Sequence, residues 1–322
     1  MQKKFILEND EIFSNFKKYY GALYFKVLDS TDRGVINLSQ GVDAKVCKYC
    51  GKGRGETTFR NESHAIPLAL GNHTLVDSLE CDKCNKHFSD YLEDSFLKFT
   101  LPHRIINTIR GRKNPKYKDE FFEITFSSRG NIEVNILKEG VGQIDLEEVE
   151  TGHILKYTFT RQAYRPVAVY KMFVKIALAL MPDTDRSRLE LLKNWILAKD
   201  YTRMFSGVPV LKYEFQGAFN PERLKCGLFK VKDEFEGVYF KYILVLVFGN
   251  LQYSVVIPDP ISEENVSKTL LAFPALLDRA TIEECGEPSY EHLHFESEEV
   301  VKGEKVDICM LFEKRETMDP VQ

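Results

Sequence analysis

The sequence predicts an α+β protein in two parts, a small cysteine-clamped unit near the N-terminus followed by a larger α+β domain. Three observations predict it. Two Cys-x-x-Cys pairs, Cys47/Cys50 and Cys81/Cys84, stand with 30 residues between them. Residues 98–118 hold seven Lys or Arg, one His and no acid, broken by Gly111 and Pro115, which is the composition of a loop or linker. Beyond it, strand-type runs rich in β-branched and aromatic residues are interspersed with helical ones. The expected division is therefore residues 1–118, with a core at 47–99, and residues 119–322. A chain of 322 residues is long enough for about two domains.

The elements follow in order. Phe13, Phe16, Tyr19 and Tyr20 place a core-facing side on a short helix. Thr57 to Ile66 reads as a strand, Leu70 to Glu80 as a loop. Asp82 to Phe99 reads as a helix because Phe88, Tyr91, Leu92, Ser95, Phe96 and Phe99 recur by threes and fours. Strands are expected at 121–126, 132–137, 155–160, 208–215, 227–232, 238–248, 251–257 and 306–312. Gly249-Asn250 between two of them is a two-residue hairpin turn. Pro166 suits the first turn of a helix over 167–180, with further helices at 186–199 and at 263–279, the last interrupted near Pro274. The stretch from Glu283 to Glu316, with eleven acids against four Lys or Arg, reads as a solvated face.

The cysteines carry the first chemical signal. An odd total of seven is a poor disulfide framework. Two close Cys-x-x-Cys pairs instead match a four-thiolate structural zinc site, Cys47, Cys50, Cys81 and Cys84, with Gly51 and Gly53 available for the tight turn. A redox motif needs a single pair in a thioredoxin-like context. Cys226, Cys285 and Cys309 stand alone and read as ordinary buried thiols.

Composition excludes several classes. Hydrophobic residues at 43% and aromatics at 12% exclude a disordered chain. The longest apolar run, Tyr242 to Phe248, is far short of the roughly 20 residues that span a membrane. No signal peptide opens the sequence, so the expected location is cytoplasmic. The net charge of −4 opposes a coat of basic charge, although local charge decides nucleic-acid binding.

Between the cysteine pairs lie NESHAIPLALGN, HTLVDSLE and CDKCNKH. This order puts a histidine on a strand, then a polar loop, then a polar residue at the start of a helix, with both ends clamped. Such a frame can set an imidazole opposite a divalent cation, as base-catalysed phosphodiester hydrolysis requires. On CKYCG, SHAIP followed by LGN, and CDKCN, the segment Cys47 to Phe99 resembles an HNH endonuclease of the ββα-metal type with a four-cysteine zinc site. The resemblance implies a phosphodiesterase acting on DNA with Mg²⁺ or Mn²⁺. It makes His64 the general base and Asn85 a metal ligand. Asp77 takes the place of the middle Asn that braces the base, with Asn72 as the second candidate. Where many members carry an acidic or His ligand, this sequence has Ser63. Glu62, sharing the face of His64, and His87 on the helix are the substitutes for that ligand. Asn85 also reads as a helix cap, Asp77 as a turn former, and His73 and His103 as surface residues.

The basic stretch supplies Arg104, Arg110, Arg112, Lys113, Lys116 and Lys118 as candidates for gripping the phosphate backbone. Residues 119–322 contain no Gly-rich phosphate loop, GxSxG or HExxH. Their expected role is to restrain or target the nuclease, through an activating partner, a small ligand or self-association. The resemblance sets this in prokaryotic defence against phage. The rival expectation is a non-catalytic zinc module that binds nucleic acid or protein, which Ser63 favours.

Overall fold

The computed structural model of the chain describes residues 10–32, 34–126, 132–138, 144–149, 152–215, 223–260, 273–276, 283 and 286–312. Helix α1 (Asp10–Tyr19) leads directly into strand β1 (Tyr20–Asp29). Phe16 and Tyr20 stack at 4.6 Å between ring centroids, and both are buried, as the aromatic spacing predicts. Short strand β2 (Ile36–Asn37) pairs in parallel with β3 (Leu75–Val76). A long helical rod then runs through α2 (Asp82–Phe88), a π-helical turn (Ser89–Glu93) and α3 (Asp94–Ile106).

This rod corrects two expectations. The helix extends to Ile106 rather than Phe99, because Pro102 is tolerated inside α3. Residues 98–106 are accordingly helical and largely buried, with Phe99, Leu101 and Ile105 in the interior. The linker character read from composition holds only for residues 110–116. The strand expected over 57–66 is also absent. That segment is irregular, with isolated bridges at Thr57 to Arg54 and at His64 to Val76.

Past the basic loop, β4 (Tyr117–Lys118), β5 (Phe122–Phe126) and β6 (Ile132–Ile136) form one small antiparallel sheet. Strands β7 (Ile144–Val149) and β8 (Gly152–Thr160) belong to another, completed by the late strand β14 (Lys305–Phe312). Three helices follow: α4 (Pro166–Leu180), α5 (Asp183–Arg186) and α6 (Glu190–Leu197). Every residue of α4 is buried, as its apolar sequence demands.

The remaining strands are β9 (Val210–Glu214), β10 (Arg223–Val231), β11 (Tyr242–Phe248), β12 (Leu251–Ile257) and β13 (Ser289–Leu293). They form an antiparallel sheet in the order β1-β10-β11-β12-β9-β13. The hairpin at Gly249-Asn250 is present, with Gly249 at φ 54°. Asn107, just past α3, locks that turn: its amide donates to Asn250 Oδ1 at 2.7 Å and its Oδ1 accepts from the Asn250 N–H at 3.0 Å. Most of the helix expected at 263–279, and Cys285, lie outside the described residues; 273–276 are irregular.

The described residues pack across the expected division at residue 118. β1 pairs with β10 across some two hundred residues of sequence. A single hydrophobic cluster joins Cys47, Ile66, Leu75, Phe88 and Phe96 to α4 and to the inner face of the large sheet. Helix α4 is the shared wall, packed on the cysteine unit on one side and on the sheet on the other. The α+β class stands, with the small unit built onto the large one. Among the described residues no helix is long and apolar enough to cross a membrane.

Candidate active site

The site starts from the cysteine knuckle. Gly51, at φ 71°, returns its N–H to the Cys47 carbonyl at 2.8 Å, and the Cys47 N–H bonds the Lys52 carbonyl at 2.9 Å. Only a glycine takes that left-handed turn without strain. Cys81 is the N-cap residue of α2 and Cys84 sits within its first turn. The Sγ atoms of Cys47 and Cys84 lie 3.7 Å apart, those of Cys50 and Cys81 3.8 Å, and all four fall within 4.8 Å of one another. A tetrahedral zinc with bonds of about 2.3 Å requires sulfur–sulfur edges of about 3.8 Å. Donor set, number and spacing are thus compatible with a structural zinc ion.

The histidine hairpin is held by backbone bonds. The Ala65 N–H reaches the Leu75 carbonyl at 3.2 Å and the Asp77 N–H the Ser63 carbonyl at 2.8 Å. Asn72 closes the connecting loop: its amide donates to the Ile66 and Leu75 carbonyls at 2.8 and 2.9 Å, and its Oδ1 accepts from the Leu75 N–H. Asp77 does something else. It is buried, pairs with Lys48 at 2.8 Å and accepts from Ser39, and it does not line the cleft that holds His64. Asn72 thus ties the loop of the hairpin through the Ile66 and Leu75 backbone, and Asp77, expected against the imidazole, is engaged with Lys48 and Ser39 instead.

That cleft has a volume of about 620 Å³, and His64, Glu62, Asn85, Arg112 and Lys113 are among its walls. Ser63 is buried and does not line the cleft, whereas Glu62 and His64 both do. Glu62 Oε1 lies 3.7 Å from His64 Nε2. Burial holds His64 below the ordinary imidazole value; the Glu62 carboxylate opposes it, and Lys175 and Arg112 add to the lowering. The ring is therefore neutral near pH 7, with a lone pair free to accept a proton. Asn85 lies one turn into α2 rather than at its cap, facing the same cleft. The π-helical turn brings Ser89, Asp90 and Glu93 to the cleft wall beyond it.

Two other expected ligands and contacts leave the site. His87 bonds the Ile196 carbonyl at 2.9 Å, stacks on Tyr91 and does not line the cleft. Arg104 is buried in α3, bonded to Thr100 and to the Leu97 carbonyl, so it cannot reach a phosphate. Arg110, Arg112, Lys113, Lys116 and Lys118 are exposed. Gly111 explains how their loop closes on the cleft, since a Cβ there would fall 2.8 Å from the Ala69 Cα. His73 bonds the Arg110 carbonyl at 3.2 Å on the other side of that loop.

Oxygen donors on the cleft wall include Glu62, Asn85, Asp90 and Glu93. Among the described residues the four cysteines form the single cluster of three or more His, Cys, Asp or Glu within reach of one ion. A hard cation such as Mg²⁺ keeps several waters and takes substrate phosphates, so two protein oxygens suit it.

One contributor was invisible to motif reading. Lys175 of α4, itself on the wall of the cleft, donates to the His64 carbonyl at 3.0 Å and the Ala65 carbonyl at 3.4 Å. It also pairs with Glu80 at 2.9 Å. The signal was available: a lysine in a helix that is apolar all round must find a buried partner.

The sequence profile of the HNH endonuclease family matches residues 47–101. No curated protein and no solved structure matches the chain. The matched span contains both cysteine pairs, the histidine hairpin and the start of the rod, and the chain thus carries an HNH endonuclease domain at residues 47–101.

Proposed function

We propose that the chain is a metal-dependent endonuclease that hydrolyses DNA phosphodiester bonds. The observation that carries this reading is the shared cleft, in which His64 and Asn85 line one space together with Arg112 and Lys113. The exposed lysine and arginine of the basic loop bind backbone phosphates on either side of the scissile bond. His64 accepts the proton of the attacking water as general base. Asn85 and Glu62 would hold the Mg²⁺ or Mn²⁺, which when bound stabilises charge on the phosphate oxygens. The zinc knuckle keeps hairpin and helix at fixed separation, a rigidity that about 50 residues cannot draw from their own core. Residues 119–322 frame the cleft from behind, and their further role is to restrain or target cleavage until a partner, a ligand or self-association releases it. Defence against phage is a setting that suits a nuclease under such restraint.

The rival reading is a zinc module that binds nucleic acid without cutting it, and Ser63 in place of an acidic ligand favours it. Supercoiled plasmid incubated with the purified full chain and Mg²⁺ or Mn²⁺ separates the two. Nicked and linear product is expected from the wild type, and His64→Ala should lower the rate about 10²–10⁴-fold with zinc retained. A variant that cuts as fast as wild type would remove His64 from its role.

A further inference from the structure

We infer that Lys175, which lies outside the matched nuclease segment, is a positioning residue for the general base, so that α4 is a working part of the catalytic unit; this rests on the reading of His64 given above. Three observations carry it. Lys175 is only 2% exposed, and its ammonium reaches two consecutive hairpin carbonyls, one of them that of His64 itself. The same ammonium pairs with Glu80, also 2% exposed, whose neighbour Cys81 opens α2. One cation therefore ties the segment bearing His64 to the knuckle that leads into the helix bearing Asn85.

The contact is returned from the other side. Tyr49 of the knuckle donates to the Lys175 carbonyl at 3.4 Å, and Lys48 to the Ala179 carbonyl at 3.4 Å near the end of α4. Lys48 in turn pairs with Asp77, which closes the hairpin. Hairpin, knuckle and helix thus hold each other through charged groups almost withdrawn from water, two of which, Lys175 and Glu80, also line the cleft. At such sites a hydrogen bond is directional and costly to break, because the groups left behind have little solvent to turn to. The backbone under His64 is accordingly fixed by α4, and a small displacement of a base is enough to cost a large part of the rate.

The test uses the full chain with Lys175→Met and Glu80→Met combined. Replacing both partners by apolar side chains of similar length leaves no buried charge behind, so the fold is retained. The expected result is a zinc-loaded protein with wild-type circular dichroism, a kcat for plasmid cleavage lowered at least 10-fold, and a KM within about twofold of wild type. Amide hydrogen exchange at Ala65 and Asp77, the two hairpin N–H groups, should be at least 10-fold faster. Wild-type kcat in the folded double variant, or unchanged exchange at both amides, overturns the proposal. Loss of zinc or of the fold also overturns it, by giving the pair a folding role instead. The wild type and His64→Ala run beside it. If neither cuts, the nuclease reading fails, while the exchange rates still decide whether Lys175 fixes the hairpin.

Discussion

Burial holds His103 at about 3, with Lys212 and Arg161 adding to the effect. Neither ring nitrogen has a partner among the described residues. The expectation of a surface histidine followed from the basic composition around it, and it failed because α3 continues past Pro102 and turns that position inward. The linkage is direct. Between about pH 3 and 6.5 the folded protein keeps this ring neutral, whereas the unfolded chain protonates it. Above about pH 6.5 the ring adds no pH-dependent penalty, and stability falls as pH drops below that, by up to about 1.4 kcal/mol per unit. His103→Leu should therefore lose less urea resistance than wild type between pH 7 and pH 4.5. Parallel decline of the two proteins would show that the ring titrates normally. Lys175 is the matching case among cations: an unpartnered Lys is unaffordable there, and Glu80, pushed up to about 7 by burial, is the group it meets.

At the scale of elements, the knuckle and the basic loop act independently and can be tested separately. Replacing any of Cys47, Cys50, Cys81 or Cys84 with Ser should abolish the single zinc per chain expected from metal analysis and lower the melting temperature, because binding of the ion is folding free energy. Folded, freshly purified wild-type protein without zinc would remove the ion from the account. Neutralising Arg110, Arg112 and Lys113 together should weaken DNA binding regardless of sequence. It should also make the dependence of log K on log salt shallower by about 2.7, at about 0.9 per phosphate contact. An unchanged slope would show that the loop does not touch the backbone. What was legible in the sequence was local. The cysteine spacing, the Gly249-Asn250 turn, the whole of β12 and the start of α4 at Pro166 all depend on neighbours within a few residues. What was not legible depended on distant partners. Asp77 looked free for His64 because Lys48, its ion-pair partner, lies on the knuckle. His87 looked like a ligand because the Ile196 carbonyl it bonds is 109 residues away.

For the whole molecule, the continuous core decides what can be cut apart. A fragment ending near Lys118 would carry β1 without β10, the knuckle without α4, and Glu80 without its cation. Removing one partner of a buried pair typically costs about 3–5 kcal/mol, which is a large share of the stability of an ordinary domain. The fragment should therefore show no cooperative thermal transition, even with zinc supplied. A sharp transition with wild-type zinc content would show instead that residues 1–118 stand alone, as composition had suggested.

The distance along the chain between His64 and the lysine beneath it also sets an order in time. A ribosome adding about 5–20 residues per second needs roughly 5–20 s to pass from His64 to Lys175. β10, which seats β1, emerges later still. During that interval the histidine and the cysteines already exist, yet the hairpin has nothing to rest on. The nascent chain thus carries the HNH segment before the helix it packs on exists, and, on the function proposed above, the arrangement around His64 is complete only when synthesis has gone far enough for the rest of the protein to be present with it.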